Sequence, residues 1–354
     1  MTITGLYLDP ESGQRISTNS MLKTFRRCPK QADYKYAQRL KPKLLATPLK
    51  RGKWVHELLE YYHSGKDWRA LHAKYVHRFN ELFDEEKDHY GDLPGEILRI
   101  MESYIWHYAN DPWEYHEVEV TLETTFPDGT IYRGRADALV ENNFGLWIVD
   151  HKTHKVIPSF EDRMLDTQSP LYVWTARRNK IPVQGFIWNY IRWKAPSTPK
   201  LLKDGSRLSK AACDTDYPTY VRALKKYKAD NPNFVILPEY KSKAAELKKQ
   251  RYDPNQLQTS PFFQRVVLER NDHSLKTVAL ENYHTSQRMH TYPFGKPGVE
   301  RTIDRTCKFM CAYTSLCQAE LIGGNTDLLR RQNFTVGDPN SYYYDTPDWD
   351  EKER

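Results

Sequence analysis

Residues 134–153 read GRADALVENNFGLWIVDHKT. The stretch carries Asp137, a short turn, and an apolar run that ends on Asp150, His151 and Lys152. Two carboxylates and a lysine on neighbouring strands suit the cleavage of a phosphodiester. That reaction must stabilise charge on the phosphoryl group and make a nucleophile from water, and a bound Mg²⁺ or Mn²⁺ does both. Hard divalent ions take carboxylate and carbonyl oxygens. Asp137 and Asp150 offer one oxygen each, and the main-chain carbonyl of His151 a third. Side chains two apart on a strand share a face, so Lys152 stands beside Asp150 and can orient water or balance developing charge. A D-x-K tripeptide alone is as readily a surface ion pair. However, Asp150 closes the run Leu146, Trp147, Ile148, Val149, and an acid in so apolar a setting needs a compensating partner.

These residues must be positioned by an α/β framework. Trp54, Val55, Leu58, Leu59 and Tyr62 recur at helical spacing and predict a helix over 53–63, with His56 and Glu60 on one face. Other helices are expected over 68–87 and from Ile97 to a stop near Pro112. Met21, Leu22 and Phe25 follow capping residues, and Pro29 opens a short helix reaching Tyr36. Val118, Val120 and Leu122 then alternate as a strand. Asp128 and Gly129 signal a turn, and 131–140, with Asp137, is the returning strand. Asn142 and Asn143 mark another turn. The unbroken run 146–149 predicts a central strand buried on both faces. A helix over 161–178 and a strand over 185–193 follow, which makes a mixed sheet with a crossover helix. Residues 195–218 read as a polar loop, and 220–229 and 244–250 as lysine-rich helices. Residues 262–291 read as largely helical with a break at Asn271 and Asp272. The expected organisation is a helical N-terminal region (1–112), a sheet core (113–194), a basic insertion (195–260), a C-terminal helical region (261–322) and a partly ordered acidic tail (323–354).

The chain of 354 residues is 39% hydrophobic and 13% aromatic, with nine Trp and 24 Tyr, enough for a substantial core. No apolar run nears the ~18 residues of a membrane span, and the N-terminus lacks a signal-peptide pattern. The expectation is a cytoplasmic protein, no membrane, and reduced thiols. Net charge is +7. Eleven Lys or Arg against one acid, Asp33, lie in 23–53, and a second basic stretch covers 194–251. Residues 338–354 reverse the sign, with six acids and two bases. Basic clusters interleaved with aromatics suit a nucleic acid, although such runs are also ordinary solvated faces. Neither G-x-x-x-x-G-K-[ST] nor G-x-G-x-x-G is present, which excludes those phosphate-binding motors and dinucleotide sites.

Five cysteines are Cys28, Cys213, Cys307, Cys311 and Cys317. Four thiolates can hold a [4Fe–4S] cluster or zinc, or remain free. One distant cysteine plus a trio fits poorly the two short pairs of a structural zinc site. Cys213 reads as a free thiol in the insertion.

G-R-A-D ending at Asp137, followed by W-I-V-D-H-K-T over 147–153, resembles the PD-(D/E)XK nuclease superfamily. More narrowly the chain resembles its RecB-like exonuclease branch, which includes AddB-type, CRISPR-associated and many phage-encoded nucleases. Gly52-x-x-x-His56 resembles that branch's histidine motif, and Gln168-x-x-x-Tyr172 its helical Q-x-x-x-Y motif. The resemblance extends over roughly residues 20–317, and implies a restriction-endonuclease-like mixed central sheet flanked by helices. It implies Asp137, Asp150 and Lys152 as catalytic residues, His56 as a further metal ligand, and Gln168 and Tyr172 beside the site in contact with DNA. His63, His151 and His154 have side chains around the site or at the surface rather than on the metal. The one-plus-three cysteine pattern resembles the branch's iron–sulfur staple, implying that Cys28, Cys307, Cys311 and Cys317 join both chain ends around a [4Fe–4S] cluster. Here three residues, not the commonest two, separate Cys307 from Cys311. The implied function is a Mg²⁺- or Mn²⁺-dependent DNA exonuclease acting on single strands or ends in recombination, repair or phage DNA metabolism, with recombination proteins as possible partners. Its rivals are a DNA-end-binding accessory protein with a vestigial site, a trimming subunit of a CRISPR-type complex, and an iron–sulfur redox protein.

Overall fold

A computed structural model describes residues 12–254 and 260–337, together with Leu6, Leu8 and Asp9. Residues 338–354, most of the acidic tail, lie outside the described residues. The elements before the sheet are β1 (Ile16–Ser17), α1 (Asn19–Arg27), α2 (Pro29–Ala32), a π-helical turn (Asp33–Ala37), β2 (Leu40–Pro42), α3 (Thr47–His63), α4 (Trp68–Asn80), α5 (Asp84–Tyr90) and α6 (Leu93–His107). The sheet core follows as β3 (Glu114–Thr125), β4 (Ile131–Asn142), β5 (Gly145–His154), α7 (Phe160–Met164), α8 (Gln168–Arg178) and β6 (Val183–Arg192). Then come α9 (Tyr217–Asp230), α10 (Pro238–Lys248), β7 (Phe263–Leu268), α11 (Asp272–Thr291), α12 (Thr306–Met310), α13 (Thr314–Leu321), α14 (Thr326–Asn333) and β8 (Phe334–Val336).

The central sheet has six strands and is mixed. β3 and β4 are antiparallel, joined by the turn at Asp128 and Gly129, where Gly129 takes φ +82°. β4 and β5 are antiparallel, β5 and β6 parallel, and β6 and β7 antiparallel. Parallel neighbours need a crossover, and α7 and α8 provide it. β5 is central, as its composition requires. Ile148 packs into the core beneath α8, with Leu171, Phe186 and Trp188, while Trp147 and Val149 pack into the cluster on the other face with Ile187. α3 and α6 pack together near the face that Tyr104 and Phe263 share, and α8 packs against α11 on the other. Residues 201–247 gather a small core of their own around Phe234, Tyr220 and Tyr240.

Three expectations need correction. Residues 263–268 are not helical but form β7, paired to β6 from Phe186–Leu268 to Ile191–Phe263. Their aromatic and β-branched content favours the pleated edge on offer there. The helix expected over 161–178 is two helices. Asp166 accepts from the N–H groups of Gln168 (3.1 Å) and Ser169 (2.7 Å), so it starts a new helix instead of continuing the old one. The helix expected over 68–87 stops at Asn80 and restarts at Asp84. Within the region expected to be a partly ordered tail, residues 326–336 form α14 and β8, and β8 pairs with β2.

Part of the basic stretch 23–53 is internal. Lys30 is buried between Asp33 (3.3 Å) and Glu320 (3.0 Å), and Arg51 is buried against Glu96. Among the described residues no helix is long and apolar enough to cross a membrane.

A buried ion pair ties β7 to the segment between α6 and β3. Arg265 donates twice to Asp111 (2.8 and 2.6 Å), and its guanidinium lies over the rings of Trp113 and Tyr108 (3.3 and 3.8 Å to the centroids). Removing one partner leaves the other charge buried and uncompensated. Asp111→Ala is therefore expected to lower stability by about 3–5 kcal/mol in denaturant unfolding, whereas a solvated pair there would cost under about 1 kcal/mol.

Candidate metal centre

β3 covers one edge of β4 along its length, so β1 and β5 share the other edge. β5 pairs with β4 from Asn142–Gly145 up to Ala138–Val149, and there the ladder stops. Beyond that point β5 stays with β6, through Asp150–Trp188 to His154–Arg192. The two strands fork, and Asp137 and Asp150 are the first residues past the last pair on each branch.

A fork leaves main-chain donors without ladder partners, and buried ones must be satisfied. Asp137 Oδ2 accepts from the N–H of His151 at 2.5 Å. The N–H and C=O of one strand residue face the same edge, so the His151 carbonyl faces the fork as well. Asp137 Oδ1 lies 3.1 Å from Nδ1 of His56, carried by α3. Asp150 points to the α8 side, where Oδ1 accepts from Nε2 of Gln168 at 2.9 Å. Asp150 Oδ2 is buried without an aligned hydrogen bond and is faced by the ammonium of Lys152.

The two acids differ in electrostatics. Burial drives the Asp137 pKa upward, but the charge and hydrogen bond of His56, with His151 and Lys152, outweigh it and hold the group well below the usual carboxylate range. Burial raises Asp150 to about 6, with the charge of Asp137 adding and Lys152 opposing. Burial pushes His56 down, but Asp137 more than reverses this and raises it.

Two glycines let the elements approach. A Cβ on Gly52 would lie 3.2 Å from Thr153 Oγ1, so the glycine of G-x-x-x-H seats α3 against β5. A Cβ on Gly134 would meet the ring of Tyr172 at 2.6 Å, so the glycine of G-R-A-D makes room for it. Tyr172 is buried, and its hydroxyl donates to the Arg135 carbonyl at 3.0 Å. Tyr172, expected beside DNA from the Q-x-x-x-Y resemblance, braces β4 from within, and Gln168 is half-exposed.

Glu119 was missed. The pairs Val118–Ala138 and Val120–Ala136 flank it and put it opposite Asp137. It takes φ +60°, a left-handed conformation costing a glutamate about 1–3 kcal/mol, and it is ion-paired to Arg135. Burial, then the charge of Asp137, raises it to about 7 against the pull of Arg135. In the sequence it reads as one more polar residue of the Val118, Val120 alternation. Asn189 and Tyr104, behind His151, were also missed.

The donor set fits a divalent ion. Asp150 Oδ2, Asp137 and the His151 carbonyl are hard oxygens on one fork, and His56 adds a nitrogen. Each carboxylate is instead engaged by a cation of the protein, His56 on Asp137 and Lys152 on Asp150. Among the described residues no three His, Cys, Asp or Glu side chains are gathered as a ready-made metal set, so ion binding must displace these pairs.

All five cysteines are half-buried and free. Lys30 N–H donates to the Glu300 carbonyl (2.9 Å) and Tyr34 to Glu320 (2.7 Å), which brings the chain after Cys28 to the segment of the trio. Cys311 and Cys317 pack around Tyr34, Tyr313 and Leu316. Burial, with the charge of Cys28 as a minor contributor, raises the thiol of Cys311. Donor type and location suit a thiolate-held group, but the four sulfurs are not gathered into a metal-holding set.

The acid values fix a pH dependence. Below about pH 6 the buried Asp150 carries a proton, and His56 adds another in the same direction. A divalent ion must displace them. Mn²⁺ affinity measured by calorimetry is expected to fall by about tenfold or more per pH unit below pH 6. A pH-independent affinity would contradict the assignment. Gly134→Ala is expected to push Tyr172 aside and cost about 1–3 kcal/mol in thermal or denaturant unfolding.

The comparisons with known proteins come to this geometry from outside. No curated protein matches the chain. A solved structure described as "Crystal structure of SSO0001" aligns with 71% of this chain and 90% of its own, at 16% identity and a TM-score of 0.25, too low a score to bear an argument. The sequence profile of the PD-(D/E)XK nuclease superfamily matches residues 17–318, which include the fork, His56, Gln168 and Tyr172. Members of that superfamily are typically metal-dependent nucleases that use Mg²⁺ or Mn²⁺. By this match, over most of its length, the chain belongs to the PD-(D/E)XK nuclease superfamily.

Proposed function

We propose that the protein is a divalent-metal-dependent deoxyribonuclease of the RecB-like type, acting as an exonuclease on DNA ends or single strands. The observation that carries this reading is the fork. Asp137 and Asp150 flank the His151 peptide where the strands part, His56 reaches Asp137 from α3, and Lys152 faces Asp150. A divalent ion held there would withdraw charge from a phosphoryl group and make water acidic enough to attack. Asp150, freed of its proton, would hold the ion, and Lys152, released from Asp150, would orient the water or balance charge on the phosphoryl oxygens. Gln168 fixes the Asp150 carboxylate, and Tyr172 fixes β4. Exposed lysines on α9 and α10, such as Lys225, Lys226, Lys241 and Lys248, could meet phosphates, so binding should weaken steeply with salt.

The finer parts of the reading are the RecB-like branch, end-dependent cleavage, and an iron–sulfur staple on Cys28, Cys307, Cys311 and Cys317. The staple is supported by four free thiols placed where the two chain ends meet. It would close a ring around the catalytic core and add stability. A place in recombination, repair or phage DNA metabolism follows from the branch.

Digestion of end-labelled single- and double-stranded DNA with Mg²⁺ or Mn²⁺ tests the activity. Products shortening from an end are expected, with Asp150→Ala and Lys152→Ala slower by at least about 10²-fold. DNA binding without cleavage by the wild type would favour an accessory protein with a vestigial site. For the staple, anaerobically purified protein should contain iron and sulfide and absorb in the visible, and Cys311→Ser should lose both. Zinc, or no metal at all, would contradict it.

A further inference from the structure

His151 does more in the structure than lend its peptide to the fork. Its imidazole turns away from Asp150 and Lys152, into the space between β5, α3 and α6. There it stacks on His63 (5.7 Å, 11°) and meets Tyr104 (6.2 Å, 90°) and His56 (6.1 Å, 83°) edge-on. His63 is stacked in turn on Tyr115 (4.0 Å, 14°). The ring is therefore held on several sides.

Asn189 fixes it in the remaining direction. It is the cross-strand partner of His151 in β6 and is fully buried. Its Nδ2 lies 2.8 Å from His151 Nδ1 and donates to the Tyr104 hydroxyl at 2.9 Å. Its Oδ1 accepts from the Tyr108 hydroxyl at 3.3 Å. With both amide hydrogens committed, His151 Nδ1 must be the acceptor, so the ring is neutral with its proton on Nε2. Tyr104, accepting from Asn189, keeps its own hydrogen for His63 Nε2 at 3.2 Å. The hydrogen bonds thus form one directed set running from Tyr108 through Asn189 to both histidines.

A clamped imidazole also clamps its backbone. β5 cannot turn about its axis without breaking the Asn189 bond, so the His151 N–H stays on Asp137 and its carbonyl stays at the fork. We propose that Asn189, supported by Tyr104, is a positioning residue of the metal centre that holds the His151 carbonyl where a divalent ion needs it. This rests on the metal reading of the fork given above. It places the control of metal affinity two layers from the ion, on a strand with no ligand of its own.

The test is calorimetric titration of Mn²⁺ into the full chain as wild type, Asn189→Leu, Tyr104→Phe and Asp137→Ala, each checked for fold by circular dichroism. Asn189→Leu is expected to weaken Mn²⁺ binding by about 10–100-fold, and Tyr104→Phe to weaken it less, in the same direction. Excess Mn²⁺ should restore much of the DNA cleavage rate of Tyr104→Phe, because the carboxylates remain. If both variants bind Mn²⁺ like the wild type and lose only thermal stability, the clamp is merely structural and the proposal is overturned. Should Asn189→Leu fail to fold, Tyr104→Phe decides alone, and wild-type affinity in it overturns the proposal. Asp137→Ala separates the two levels. If it too keeps wild-type affinity, the fork is not the metal site and the proposal falls with that reading. If it loses binding while the other two keep it, only the clamp is wrong.

Discussion

The structure depends on where the hydrogen-bond ladder between β4 and β5 ends. Up to Ala138 and Val149 the strands satisfy each other. One residue further they part, and the His151 N–H needs an acceptor inside the protein. Asp137 supplies it. A carboxylate thus does the work of a missing strand, and the same divergence opens room for a second carboxylate, Asp150, from the other branch. A fully paired hairpin would have no such space. Two acids of one sign would repel each other there, and the protein answers with His56 and Lys152. The flanking helices serve these contacts: α3 delivers His56 because Gly52 lets it approach β5, and α8 delivers Gln168 and Tyr172 to the opposite face.

The difference between the two acids follows from the geometry. Asp137 has a main-chain donor and a histidine, so its charged form is well solvated by the protein. Asp150 accepts one hydrogen bond, from the Gln168 amide, faces a lysine, and has one buried oxygen without an aligned hydrogen bond. Glu119, in a strained conformation opposite Asp137, is raised by burial and by the charge of Asp137 while paired to Arg135. Behind the fork, Asn189 and two tyrosines hold the His151 ring through hydrogen bonds and ring contacts.

Much of this was legible in the sequence because it is local. The β4–β5 hairpin was marked by turn residues and an apolar run. The helix carrying His56 followed from periodicity and the site role of His56 from the resemblance of Gly52-x-x-x-His56 to the family's histidine motif, and Gln168 and Tyr172 share a face because they are four apart. What was not legible depends on pairing between distant segments. The apolar residues of 262–268 fit helix and strand alike, and only the open edge of β6 decides for β7. The spacing of Gln168 and Tyr172 gives a common face but not its direction, so the burial of Tyr172 under Gly134 could not be read. Asn189 matters only because parallel register sets it beside His151, some forty residues away in sequence. Glu119 looked like an ordinary solvent-facing acid, since its significance lies in the strand across from it. Charge runs misled in part, because Lys30 and Arg51 are spent on internal pairs.

The most direct measurement of the central claim is an anomalous-scattering map from crystals grown with Mn²⁺. The account predicts a peak at the fork, within bonding distance of Asp137, Asp150 and the His151 carbonyl, with His56 turned toward it, and its disappearance in Asp150→Ala crystals. Mn²⁺ bound only elsewhere, in a protein that still cuts DNA, would contradict it.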